Sequence, residues 1–121
     1  MNGSLPPREG FLLLRLMSSA RIATLSQLLE ASPADPFLHH AMALEQIKAG
    51  DESNAERHFR NNLAAAPDYV ATYYHLGKLL ERAGNPQEAM AIYEQGMGVA
   101  KAAKDHHSYN ELQAAYEDLA Y

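Results

Sequence analysis

Apolar residues along the chain recur at intervals of three and four positions, the spacing that places them on one face of an α-helix. Helix-ending residues interrupt this pattern, and Gly50, Pro67 and Gly84 are the clearest of them. The pattern predicts six helices: one ending before Pro33, four between residues 36 and 103, and one over residues 108–120. The residues expected to cap helix N-termini are Asp35, Asp51, Asp68, Asn85 and Ser108.

These signals repeat along the chain with a period of 34 residues, the interval from Gly50 to Gly84. Residues of similar character occupy matched positions: Ala43 and Gly77, Ala55 and Ala89, and Phe59 and Tyr93. The period predicts full repeats at about residues 36–69 and 70–103, a half repeat at residues 18–33 and a C-terminal capping helix at about residues 108–120.

The first 16 residues differ from the rest. Pro6 and Pro7 favour a flexible or weakly ordered tail over residues 1–16, which leaves a single domain over residues 17–121. The short apolar run Phe11–Leu16 supports an alternative, in which it forms a helix that supplies the missing half of the first repeat. The residues leave both possibilities open.

Composition favours an all-α protein, because Ala occurs 21 times and Leu 16 times whereas Val, Ile and Thr together occur seven times. The net charge of −5, with scattered Lys and Arg, argues against nucleic acid and anionic membranes as partners. The chain has no cysteine and no apolar run of about 20 residues that could span a bilayer. We therefore expect a cytoplasmic protein.

The 34-residue period, with small residues at Ala43 and Gly77, large aromatic residues at Phe59 and Tyr93, and Pro67 ending a unit, resembles the tetratricopeptide repeat (TPR). The overall plan is similar to that of short stand-alone bacterial TPR proteins. This resemblance implies a right-handed α-α superhelix of helix hairpins closed by a C-terminal capping helix. The implied repeat-packing residues are Ala43, Ala55, Phe59, Gly77, Ala89 and Tyr93.

In the TPR family the first helix of each repeat lines a concave groove that holds a partner's peptide or helix. The resemblance places Phe37, His40, Leu44, Ile47 and Lys48 on that groove in the first repeat, and Ala71, Tyr74, Lys78, Glu81 and Arg82 in the second. Some family members bind C-terminal carboxylates with Lys and Asn side chains on this face. The sequence departs from that clamp, because it has His40 and Leu44, then Tyr74 and Lys78, at the corresponding positions.

The sequence carries few signals of metal binding or catalysis. The six histidines do not form a His-x-x-x-His or Glu-x-x-His pair, and the serines stand at helix starts or on polar faces. We therefore expect no metal, no cofactor and no catalytic activity. Two functions remain: an adaptor that binds an unidentified protein partner, or a self-associating structural module. In the second, the apolar groove is covered by the chain's own N-terminal segment or by a second copy in a homodimer.

Overall fold

A computed structural model describes residues 7–121 of the protein, with the backbone alone described at Pro7. Every regular element in that range is an α-helix, as the composition predicts. The helices are α1 (Pro7–Ala31), α2 (Pro36–Lys48), α3 (Glu52–Ala65), α4 (Ala71–Arg82), α5 (Pro86–Ala102) and α6 (His106–Ala120).

Local chemistry explains where α2 begins and where α2 and α4 end. The Asp35 carboxylate accepts hydrogen bonds from the Phe37 amide at 2.9 Å and the Leu38 amide at 3.3 Å, which satisfies two donors of the first helical turn. Gly50 and Gly84, with φ of 82° and 83°, adopt the left-handed conformation that ends a helix. The 34-residue spacing of these two glycines thus corresponds to two equivalent helix ends.

Two predicted caps are wrong. A turn in which the Tyr69 amide donates to the Ala66 carbonyl delays α4, so its N-cap is Val70 instead of Asp68, and Val70 makes no side-chain cap bond. The last helix begins at His106, two residues before the predicted start, because Asp105 caps it. The Asp105 carboxylate accepts from the Ser108 amide at 3.1 Å and the Ser108 hydroxyl at 2.7 Å.

Helix α1 extends further toward the N-terminus than predicted. Residues 7–16 belong to this single helix, whereas the sequence favoured a weakly ordered tail over residues 1–16, of which residues 1–6 lie outside the described part. The alternative of a helix at Phe11–Leu16 agrees with the structure in being helical, but these residues continue into α1 and their apolar side chains are exposed. The physical reason is local: a proline is tolerated in the first turn, and the residues after it are rich in the strong helix formers Leu and Arg.

The chain forms two compact units, one extending to His58 and the other spanning Phe59–Tyr121, where the sequence predicted a single domain over residues 17–121. In the first unit, α1 packs against α2. In the second, α5 packs against both α4 and α6. This division is consistent with repeat architecture, in which a helix contacts mainly its neighbours along the chain.

The six residues assigned to repeat packing are all buried: Ala43, Ala55, Phe59, Gly77, Ala89 and Tyr93. In the second unit, Leu76, Leu80 and Leu112 complete an apolar interior around the large rings. Burial of aromatic side chains is the largest apolar contribution available to this unit.

Candidate functional site

A groove of about 510 Å³ lies between α1 and α2 in the first unit. Its α1 wall is formed by Ala20, Arg21, Thr24 and Leu25. Its α2 wall is formed by Phe37, Ala41, Leu44, Glu45 and Lys48. We call this feature the α1–α2 groove.

The side chains along the two walls explain why the groove exists. Ala20, Thr24 and Ala41 are too short to fill the space between the two helices. Leu44 is half-buried, and Phe37 at the start of α2 is 62% exposed. The groove therefore offers a continuous apolar surface to a ligand, the feature typical of binding sites.

One carboxylate and two cations border the groove. The Glu45 carboxylate lies 3.5 Å from the Arg21 guanidinium and 3.4 Å from the Lys48 ammonium, so it connects α1 to α2. The Glu45 side chain is 12% exposed, whereas those of Arg21 and Lys48 are each 50% exposed. The net charge of this trio is positive, which favours a ligand carrying a carboxylate beside its apolar residues.

The structure brings together only part of the predicted groove of the first repeat. Phe37, Leu44 and Lys48 line the α1–α2 groove, while Ile47 is half-buried outside its lining. His40 differs from the prediction, because it is 8% exposed and packs in the interior. Four residues are slightly more than one 3.6-residue helical turn, so His40 and Leu44 point in somewhat different directions. His40 points closer to the packed face of α2.

None of the α1 residues that form one wall of this groove is among the predicted binding residues. The repeat register places ligand contacts only on the first helix of each full repeat, and α1 belongs to the half repeat. A signal was nevertheless present, because Ala20 and Thr24 are small residues one turn apart on the same helix face.

In the second unit, a smaller cavity of about 220 Å³ lies between α4 and α6. Its lining residues are Val70, Ala71, Tyr74, His75, His107, Ser108, Glu111 and Leu112. His107 Nε2 lies 3.6 Å from the Glu111 carboxylate, and burial lowers the pKa of His75. Two predicted groove residues, Ala71 and Tyr74, border this cavity.

The remaining predicted residues of the second repeat lie outside that cavity's lining. The Lys78 ammonium lies 5.6 Å from the centre of the Tyr74 ring and 3.5 Å from the Glu81 carboxylate. The Tyr93 hydroxyl donates a hydrogen bond to Glu81, and burial together with this bond raises the Tyr93 pKa. Glu81 is thus tied to the packing of α5, while Arg82 is exposed at the end of α4.

Two histidines form a hydrogen-bonded pair in the first unit. His39 Nδ1 lies 2.9 Å from His58 Nδ1, and His39 Nε2 lies 2.7 Å from the Pro33 carbonyl oxygen. Because a carbonyl only accepts, His39 Nε2 carries the hydrogen, and in the neutral pair His39 Nδ1 accepts from His58. The pair links the α1–α2 loop, α2 and α3, and burial, followed by the charge of His39, lowers the pKa of His58.

Across residues 7–121, no three His, Asp or Glu side chains are gathered in an arrangement suited to a metal ion. Among the helices of this described range, none is long and apolar enough to cross a membrane.

Comparison with known proteins identifies the family. A family model for the tetratricopeptide repeat matches residues 46–116. The crystal structure of a tetratricopeptide repeat domain protein from Salinibacter ruber is 40% identical in sequence and covers 71% of this chain and 96% of its own, with a TM-score of 0.69. A solution NMR structure of a tetratricopeptide repeat domain protein from the same organism is also 40% identical and covers 72% of this chain and 88% of its own, with a TM-score of 0.70.

No curated protein matches the sequence. The family model covers more than half of the chain, and both Salinibacter structures are similar in sequence as well as in fold. The paired helices, the 34-residue period and these similarities agree, and the chain belongs to the tetratricopeptide repeat family.

Proposed function

We propose that this protein is a non-catalytic protein–protein interaction module whose α1–α2 groove binds an apolar helix or peptide of a protein partner. TPR folds generally serve as scaffolds for protein interactions. The observation that carries the proposal is the groove itself: about 510 Å³ of space between two helices, with apolar walls at Ala41, Leu44 and Leu25. A groove of this kind fits the apolar face of an amphipathic helix.

The charges at the groove favour a particular class of ligand. Apolar anchors of the ligand would lie against Leu44 and Phe37, and an acidic residue beside them would face Arg21 and Lys48. Such a rim charge mainly accelerates encounter, whereas the buried anchors set the residence time.

Several polar side chains of types that serve in catalysis have structural partners here, which supports a non-catalytic role. His39 and His58 bond to each other, and Ser108 takes part in the N-terminal cap of α6. A nucleophile would instead need a neighbouring base and a group that orients that base.

The proposal is tested with a displayed library of random peptides, selected on the immobilised full chain at low surface density. We expect enrichment of sequences with apolar residues three and four positions apart and one nearby acidic residue. Leu44→Ser should weaken binding of the selected peptides by tenfold or more, because truncating an anchor costs about 1–2 kcal/mol or more.

The matched control is Leu12→Ser, which removes an exposed leucine of the same unit outside the groove lining. It should leave peptide affinity unchanged, and melting curves should show that Leu44→Ser is folded. Equal peptide affinity of the two folded variants would overturn the proposed site.

A further inference from the structure

The N-terminal half of α1 exposes apolar side chains on every side. We call residues 7–17 the α1 arm. Six of its residues are between 43% and 69% exposed: Phe11, Leu12, Leu13, Leu14, Leu16 and Met17. A helical segment with large apolar side chains on most of its circumference is normally buried, so the exposure of this arm indicates that a partner surface covers it.

One face of the arm runs directly into the α1–α2 groove. Gly10, Leu13, Met17, Ala20 and Thr24 follow one another at spacings of three, four, three and four residues, the repeat of a coiled-coil seam. The last two of these residues belong to the groove wall. The seam carries no charge, and helical geometry places Arg15 on the far side of the helix.

The large and small residues of this seam are complementary when it pairs with itself in the opposite direction. Two antiparallel α1 helices related by a two-fold axis near Met17 place Leu13 of each copy beside Ala20 of the other. The same arrangement places Gly10 opposite Thr24. The large Leu13 therefore meets a small residue, as close packing of two helices requires.

We propose that the occupant of the α1–α2 groove is the α1 arm of a second copy of this chain, in a symmetric dimer whose α1 helices pair antiparallel about Met17. This inference rests on the proposed function of the groove and names its partner. The symmetry makes the exchange reciprocal, because each copy contributes one arm and one groove.

An interface of ordinary area needs both the α1 arm and the α1–α2 groove. The α1 arm is about 16 Å long, too short by itself to bury the roughly 800 Å² per partner of a standard interface. Seating each arm in the other copy's groove adds the apolar walls at Leu25 and Leu44 to the interface. A lipid surface fits less well, because the polar stripe of the arm, formed by Arg8 and Arg15, is narrow and apolar side chains occupy the rest of its circumference.

Because the chain contains no cysteine, single-cysteine variants give a clean test of the pairing. Met17→Cys should form a disulfide-linked dimer under mild oxidation, since the two-fold axis brings residue 17 of both copies together. Leu12→Cys is the matched control: it is half exposed on the same helix but lies away from the seam, so it should form no disulfide-linked dimer. Equal cross-linking of the two variants would overturn the proposal.

The direction of pairing is tested by mixing Leu13→Cys with a size-tagged Ala20→Cys. Antiparallel pairing predicts that the mixed disulfide dominates over either self-linked dimer. Predominant linkage of Leu13→Cys to itself would contradict the proposed antiparallel register.

Light scattering during size exclusion gives the solution mass of the intact chain. We expect twice the 13.4 kDa chain mass for the parent and for Leu12→Glu, and the single-chain mass for Met17→Glu. Circular dichroism should show that both variants are helical. A parent that is monomeric at all concentrations, or a monomer that co-sediments with phosphatidylserine vesicles, would overturn the dimer.

The same variants separate this inference from the proposed function. Met17→Glu leaves Leu44 and the α2 wall unchanged, so the monomer should bind library peptides several-fold more tightly than the dimer, whose groove is occupied. A monomeric parent that still binds these peptides through Leu44 would overturn the dimer and leave the proposed function standing. Loss of peptide binding by every folded variant would overturn both.

Discussion

Gly77 of α4 lies directly against the ring of Tyr93 of α5, and a β-carbon at residue 77 would lie 2.1 Å from Tyr93 Cε1. A second glycine–tyrosine contact joins the same two helices. A β-carbon at Gly96 of α5 would lie 2.5 Å from Tyr73 Cβ of α4. Each helix thus supplies one glycine and one tyrosine, and the rings occupy the space that side chains at the glycines would need.

Replacing Gly77 by alanine should destabilise the second unit by about 1–3 kcal/mol or more, because the added methyl group overpacks against the Tyr93 ring. Urea unfolding measures this change. The matched control is Gly98→Ala in α5, where a β-carbon meets nothing within 4 Å. That variant should be as stable as the parent or up to about 1 kcal/mol more stable, because alanine favours helix. Equal behaviour of the two variants would contradict the close approach of α4 and α5.

Asp35→Ala should cost about 1 kcal/mol of stability, because it removes the carboxylate that accepts from two amides at the start of α2. Asn85→Ala is the comparison, since Asn85 is the N-cap of α5 but its side chain makes no cap hydrogen bond. The second substitution should change stability by less than about 0.5 kcal/mol. Thermal melts of both variants give the two values, and an equal loss would argue against the Asp35 cap.

Tyr93→Phe should destabilise the protein by about 1 kcal/mol. It keeps the buried ring and removes the hydroxyl that donates to Glu81, a hydrogen bond to a charged but partly exposed acceptor. Tyr74→Phe serves as the control, because it keeps the ring that lies 6.4 Å from the Tyr93 ring centre. Chemical denaturation at pH 7 should rank Tyr93→Phe below Tyr74→Phe. The reverse order would contradict a stabilising Tyr93–Glu81 bond.

The protein should lose stability as the pH falls from 7.5 to 5.5. Burial is the largest cause that lowers the pKa of both His58 and His75 from the usual 6.5, with the charges of His39 and Arg57 also acting on His58. Below pH 6.5 the unfolded chain therefore binds more protons than the folded chain, so the free energy of unfolding rises with pH across this window. Urea midpoints at pH 7.5, 6.5 and 5.5 measure the slope.

The contact with His39, in addition to burial, lowers the pKa of His58. With the Nδ1 atoms 2.9 Å apart, a second proton would place two N–H groups against each other. His58→Asn removes one of the two titrating groups and should reduce the pH dependence, leaving the part that His75 contributes. A slope unaffected by His58→Asn would show that this pair does not control acid stability.

Much of the fold follows from local sequence signals. Gly50 and Gly84 end their helices through backbone conformations that glycine adopts most easily, and Asp35 caps α2 through atoms two and three residues away. Such features involve only neighbouring residues, so the sequence alone predicted the helices between residues 36 and 103, together with their period. Asp68 is the instructive exception, because a turn across Ala66–Tyr69 determines where α4 begins.

The candidate site depends on distant residues. Phe37, Leu44 and Lys48 were predicted from the repeat register, but their partners Ala20 and Thr24 line the same groove only because α1 packs against α2. The burial of His40 likewise depends on which side of α2 faces other helices. The sequence by itself determined the presence of the helices between residues 36 and 103, the 34-residue period and the family, since these are set by local propensities and spacing. Only tertiary packing decided which helix faces form the groove, because that depends on helices meeting across the chain.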